Sequence, residues 1–144
     1  MIRIRPARED EAEAILGLWG AGQTTASSTD DVAAIRELVR HDPEALLLAE
    51  SDGRLVGTLI VGWDGWRGGM YRLVVVPDMR RTGIGTQLVR AAEARLRGLG
   101  SRRVAAVVMR EHEHANAFWL AMGYRHDGRV GRWVRDLPAG PYTR

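Results

Sequence analysis

The run Val74-Val75-Val76 is stopped by Pro77, and after Asp78 and Met79 the chain reads Arg80-Arg81-Thr82-Gly83-Ile84-Gly85. The residues that follow, 86–99, carry apolar side chains at the helical period. This pattern leaves little choice but strand, turn and helix, because proline ends the strand and the two glycines permit a tight entry into the helix. A helix N-terminus exposes amides that have no partner along the helix, and it carries about half a positive charge from the aligned peptide dipoles. Arg80 and Arg81 place fixed positive charge beside those amides. An anion suits such a place, so a phosphate-bearing cofactor is the first functional expectation, held by Arg80, Arg81, Thr82, Gly83, Ile84, Gly85 and Thr86.

Two better-known phosphate loops are excluded. A dinucleotide fingerprint would need its third glycine where Leu88 stands, and no carboxylate follows at the distance a ribose reader requires. A P-loop needs Gly-Lys-Ser/Thr, which is absent from the chain. A plain strand–turn–helix with an arginine-rich turn remains as the alternative. Arg80-x-x-Gly83-x-Gly85 does resemble the Arg/Gln-x-x-Gly-x-Gly/Ala signature of the GNAT superfamily of N-acetyltransferases. A second stretch, Glu113-His114-Ala115-Asn116-Ala117-Phe118-Trp119-Leu120-Ala121-Met122-Gly123-Tyr124, is similar to that superfamily's closing helix. Physically it is a short helix with Ala115, Phe118 and Met122 on one face, ended by Gly123. The order and separation of the two motifs extend the resemblance over nearly the whole chain.

The elements read as follows. A strand at 2–5 precedes a helix over 7–19, with Ala12, Ile15, Leu16 and Trp19 on one face. Residues 20–29 are small and polar, and a second helix runs over 30–40 with Val32, Ile35 and Val39 in register. Strands at 44–50 and 54–61 meet through Ser51-Asp52-Gly53, a hairpin signal. A strand at 69–76, the cofactor helix over 85–99, a buried strand at 103–109 and the closing helix follow. The chain then makes a final hairpin over 124–137 through Asp127-Gly128. This order matches the GNAT fold, an α/β (α+β) arrangement in which about four helices flank a mixed, mostly antiparallel central sheet. One domain over 1–137 and a loose tail at 138–144 are expected.

Composition narrows the setting. The chain has no cysteine, which removes disulfides and thiolate metal sites. No apolar run nears the ~20 residues of a membrane span, and the first residues read as a strand rather than a signal peptide, so a cytoplasmic protein is expected. All 21 basic residues are arginine, which lifts the pI to 10.1 on a formal excess of only +3. Without lysine, acetylation of the chain's own ε-amines is impossible. The pairs Arg80-Arg81 and Arg102-Arg103 sit at separate element boundaries with no basic helical stripe, which argues against nucleic acid.

The resemblance implies a chemistry: acetyl-CoA as cosubstrate, no metal, and direct attack by an amine on the thioester. It implies that the backbone of Leu73, Val74 and Val75 pairs with the pantetheine arm as an added strand and offers an amide to the developing oxyanion. Catalytic residues transfer less well. The position of the glutamate base used by many relatives is Val107, that of their tyrosine acid is Trp119, and that of a frequent asparagine is His112. The remaining candidates are Glu111, His112, His114, Tyr71 and Tyr124, of which His112, Glu111 and Tyr124 are put first. His112 has the best matched position and an imidazole's ability to change charge near neutral pH, with a helix-end cap as its alternative. Tyr124 is an acid or simply packs. His112-x-His114 lacks an evident third metal ligand.

The stretch Gly62-Trp63-Asp64-Gly65-Trp66-Arg67-Gly68 is similar to one in small bacterial acetyltransferases that have been compared with ribosomal-protein N-terminal acetyltransferases. Two readings stand: a hairpin turn with packing aromatics, or an acceptor wall in which Asp64 attracts a cationic amine and Trp63 or Trp66 gives it an aromatic face. The functional expectation is therefore an N-acetyltransferase acting on a peptide or protein α-amine or a small-molecule amine. The alternative is a non-catalytic acyl-CoA sensor, motivated by the missing base. The expected partners are the acceptor and a second copy of the chain, with neither nucleic acid nor membrane.

Overall fold

Five strands form one sheet in the order β1-β2-β3-β4-β5. The structure is a computed structural model and describes residues 1–22 and 27–138. Part of the polar loop expected at 20–29, namely 23–26, and the tail residues 139–144 lie outside the described residues. The strands are β1 Ile2–Pro6, β2 Leu46–Ser51, β3 Arg54–Trp63, β4 Gly68–Val75 and β5 Val104–Ala106. The first four pair antiparallel, and β5 lies parallel to β4. The helices are α1 Ala12–Ala21, α2 Val32–His41, α3 Ile84–Leu99 and α4 Glu113–Ala121. The expected sheet type and helix number are both observed.

Local chemistry accounts for most boundaries. Asp52 and Gly53 take φ values of 51° and 80°, the left-handed pair that a two-residue hairpin between twisted strands requires. Asp31 caps α2 by accepting the Ala34 N–H at 2.7 Å. Leu46, Leu47, Leu48 and Ala49 of β2 are all buried, which fits a strand covered on both faces. Helix α3 presses Ile84, Leu88, Ala92 and Leu96 onto the sheet, and burying each of the larger side chains is worth about 1.5–3 kcal/mol. Its approach is close at Gly68, where a Cβ would stand 2.4 Å from Leu96 Cδ1. Ile15 and Trp19 of α1, with Ile35 and Val39 of α2, supply the remainder of the core. At the β1 margin, Arg5 donates to both carboxylate oxygens of Glu11 at 2.8 and 2.6 Å and also to Glu50.

Two expectations about the C-terminal third are corrected. The strand expected over 103–109 is only Val104–Ala106, because the chain leaves the sheet once Val107 N–H has bonded Met70 O at 3.0 Å. The hairpin expected over 124–137 does not form; no strand is assigned between 124 and 138. Instead Asp127 accepts the Arg129 N–H in a local turn, and Asp136 accepts from the Ser28 hydroxyl at 2.7 Å. The apolar residues Val130, Trp133, Val134 and Leu137 do not alternate, so no strand face can bury them, and β5 offers a template of only three residues. Trp133 is 96% exposed.

Candidate active site

Strands β4 and β5 stay paired only from Gly68 to Met70 and then part. Which groups line the gap follows from the hydrogen-bond phase. On the paired stretch, Gly68 N–H donates to Arg103 O and Met70 O accepts from Val107, so residues 68 and 70 face β5. At the far end, Val76 N–H donates to Val56 O at 2.9 Å, and Val74 is registered with Thr58. Residues 74 and 76 therefore face β3, which leaves Leu73 and Val75 to direct N–H and C=O toward the side β5 has left. The phase change has a visible cause. The β3–β4 register slips between Thr58 and Ile60, and Arg72 takes φ 55°, a left-handed value at a non-glycine residue. One extra residue in β4 is a β-bulge, and it turns the backbone edge of 73–75 into an open ladder.

That ladder leads to the loop before α3. After β4, Pro77–Met79 makes a 3-10 turn, Arg81 and Gly83 take φ 65° and 88°, and α3 begins at Ile84. Gly83 is the N-cap and has no side chain to occupy the first-turn amides, so the N–H groups of Ile84, Gly85 and Thr86 have no side-chain cap. Buried Ile84 anchors the turn from beneath. Gly85 sits where a Cβ would lie 3.1 Å from the Phe118 ring, so α4 backs the helix end at close range. The Arg80 guanidinium donates to Gly22 O at 3.1 Å, tying the end of α1 to the loop, while Arg81 and Thr82 are exposed. Two ordinary hydrogen bonds from Arg54 to Asp78, 2.8 and 3.0 Å, fix the outer side.

A cavity of about 930 Å³ fills the gap between the strands. Arg72, Leu73 and Val74 come to it from β4, Val107 and Val108 from the diverging chain, and His112 and Trp119 from α4. Trp19 and Asp30 close it from the side of α1 and α2. The Arg72 guanidinium is ion-paired with Asp30, both largely buried, and lies 5.3 Å from the Trp19 ring.

The candidate catalytic residues fare differently. His112 lines the cavity and is the N-cap of α4, its N–H donating to Met109 O at 3.2 Å. Glu111, one residue earlier, is exposed and outside the cavity lining. Tyr124 is turned toward α3: its hydroxyl donates to Glu93 Oε2 at 2.6 Å and its ring meets Trp119 edge-on at 4.9 Å. Burial, then the Glu93 carboxylate, push its phenol above the usual tyrosine range. Among the described residues, no group of three His, Asp or Glu side chains is arranged to hold a metal.

Trp63, Asp64 and Trp66 lie at the other end of β4. Asp64 Oδ1 accepts the N–H groups of Trp66 and Arg67, each at 2.7 Å, and Gly65 takes φ 90°. These backbone bonds, Arg67 first, hold the Asp64 carboxyl below the usual carboxylate range. Arg67 stacks on the Trp66 ring at 3.9 Å, and the loop borders a separate hollow with Leu99 and Arg103. The cavity lining reaches along β4 to Met70 but includes none of Trp63, Asp64 and Trp66, and from Gly68 to the bulge at Arg72 is about 13 Å of strand at the usual rise. What sequence reasoning missed is the pair Asp30–Arg72 and the buried Thr58 against Trp19. A threonine inside the apolar run of β3 was the one local signal.

A gap in the sheet thus leads from a helix N-terminus into a cavity, and comparison with known proteins shows the family of the chain. The model of the Acetyltransferase (GNAT) family matches residues 12–124, and the chain belongs to that family. It is an acetyl-CoA-dependent N-acetyltransferase. Acetyltransferase ECA0875 of Pectobacterium atrosepticum is 33% identical over 123 residues, which is 85% of this chain and 87% of that protein. Two solved structures share the fold. Aminoglycoside N-acetyltransferase AAC(6')-Iy in complex with CoA has a TM-score of 0.77 at 20% identity, covering 95% of this chain and 96% of its own. The PaiA N-acetyltransferase of Thermoplasma acidophilum in complex with coenzyme A has a TM-score of 0.77 at 17% identity, covering 89% and 94%.

Proposed function

We propose that the protein moves the acetyl group of acetyl-CoA by direct attack to a primary amine, either a peptide or protein α-amine or a small-molecule amine of similar basicity. The observation that carries this reading is the open backbone ladder of Leu73 and Val75 running from the bulge to the amides of Ile84, Gly85 and Thr86. The amides and Arg81 would hold the diphosphate, and the ladder would pair with the pantetheine arm. An amine entering the cavity attacks the thioester carbonyl and forms the carbon–nitrogen bond, the carbon–sulfur bond breaks to release coenzyme A as a thiolate that takes a proton from water, and the amine's proton is lost to water or to His112.

The acceptor class follows from the cost of that proton. At pH 7.4, freeing an amine of pKa ~10.4 costs about 4 kcal/mol, against under about 1 kcal/mol for one near ~7.8. Val107 brings no carboxylate to the cavity and Trp119 no acid, and the two carboxylates that line it, Asp30 and Glu37, are ion-paired with Arg72 and Arg40, so the weaker base is the better substrate. The same two residues favour the second reading, a cofactor sensor without turnover. Thiol release from acetyl-CoA with a peptide α-amine and with lysine ε-amines tests both. Faster release with the α-amine is expected; preference for ε-amines overturns the acceptor class, and binding without release establishes the sensor.

A further inference from the structure

Thr58 is the one polar side chain in the buried class among the described residues, with 0% exposure. Its hydroxyl accepts the Trp19 Nε1–H at 2.9 Å and donates to Arg72 O at 2.9 Å. An indole nitrogen can only donate, so Trp19 settles which way the hydroxyl proton points: toward the Arg72 carbonyl. Arg72 is the bulged residue with φ 55°. In a planar trans peptide, C=O and N–H point in opposite directions. A carbonyl held toward Thr58 therefore sends the Leu73 N–H to the side β5 has vacated, where the thioester would lie. A hydrogen bond on the carbonyl also polarises the same peptide unit and strengthens its N–H as a donor.

The geometry points to Thr58 and Trp19 as positioning residues that aim and polarise the Leu73 amide at the thioester oxygen. The inference rests on the acetyl-transfer reading above and goes beyond it by assigning to two side chains a role exerted through the Arg72–Leu73 peptide. Removing the Thr58 hydroxyl takes away a hydrogen bond that fastens the carbonyl of the left-handed bulge, and the donor is held less firmly. Removing an oxyanion donor outright costs roughly 10²–10³ in kcat. Loosening one while keeping it is expected to cost about tenfold, an order below that figure.

The test follows the thioester carbonyl itself. Isotope-edited infrared spectra of acetyl-CoA labelled with carbon-13 at the acetyl carbonyl are recorded free and bound to the full chain. Calorimetry measures coenzyme A affinity in parallel. For the wild type the bound carbonyl band is expected at lower frequency than in solution. Thr58→Val keeps the volume but removes the hydroxyl, and should lose most of that displacement and about tenfold in kcat at unchanged coenzyme A affinity. Thr58→Ser should restore both. A frequency and kcat unchanged in Thr58→Val, or lost equally in Thr58→Ser, overturn the assignment. If Thr58→Val does not fold, Trp19→Phe decides: a smaller band displacement supports the role and an unchanged one refutes it. A wild-type enzyme that turns over amines with no band displacement overturns this inference alone. Failure to bind acetyl-CoA brings down the transfer reading with it.

Discussion

Gly83→Ala separates the phosphate cradle from an ordinary helix start, and Gly98→Ala on the same helix is its internal control. Gly83 takes φ 88°, and a Cβ added there would meet no atom within 4 Å, so the only penalty is the backbone conformation itself. Holding an L-residue in the left-handed region costs roughly 1–2 kcal/mol. The chain can accept that strain, losing that much stability, or relieve it by rotating residue 83 and swinging the following amides away. Gly98 also has open space around it but an ordinary helical position, so alanine there should stabilise by about 0.8–1 kcal/mol. Thermal unfolding and coenzyme A calorimetry on both variants form the assay. Gly98→Ala should bind as the wild type does. Gly83→Ala should weaken coenzyme A by no more than its strain allows, about 5- to 30-fold. An affinity equal to wild type with the full stability loss would mean that the turn bears the strain with its amides in place; equal affinity with a clearly smaller stability loss would mean that these amides do not hold the ligand. No loss of either would refute the left-handed turn.

Glu11→Gln should destabilise the fold by about 3 kcal/mol, because it leaves the largely buried Arg5 charge short of its main partner. The Arg5 hydrogen bond is the first cause holding the Glu11 carboxyl below the usual range, so its stabilisation is complete above the unfolded value of ~4.3 and lost as pH falls through the lower folded value. Urea melts across acid pH should show the wild type losing this advantage over Glu11→Gln as pH drops; a constant difference would contradict the assignment. His112→Ala should lower kcat at least about tenfold, below the usual span for a general base, with little change in coenzyme A affinity. An unchanged pH–rate profile in that variant would remove His112 from the proton path. Asp64→Asn should leave the acceptor KM within about twofold, since the carboxylate serves a turn some 13 Å of strand away from the bulge; a clearly raised KM would restore the loop as an acceptor wall.

The legible parts of this molecule were those written in consecutive residues. Pro77 and the glycines 83 and 85 mark a strand end and a helix start by their own backbone limits, and Asp52-Gly53 marks a hairpin for the same reason. The burial of α3 was readable from its period. The bulge at Arg72 was not, because Tyr71-Arg72-Leu73 carries no glycine to advertise a left-handed residue. What supports the bulge is distributed: Trp19 from α1, Thr58 from β3 and Asp30 ahead of α2 meet only after folding. Tyr124 looked available as an acid in sequence and is engaged by Glu93 across 31 positions of chain. The final hairpin was read from Asp127-Gly128, a sound turn signal, but Val130, Trp133, Val134 and Leu137 lack the alternation a strand needs. Trp63-Asp64-Gly65-Trp66 invited a binding role through its residue types, and register with Gly68 puts it at the start of β4, at the opposite end from the bulge.

The central claim is that coenzyme A lies along the open edge of β4 with its diphosphate on the first turn of α3. An amide-resolved NMR titration of the labelled protein with coenzyme A addresses it directly. The account predicts the largest shifts at Gly83, Ile84, Gly85 and Thr86, with Leu73 and Val75 moving in the same saturable step. Saturable binding that leaves those six amides in place and moves others would contradict it.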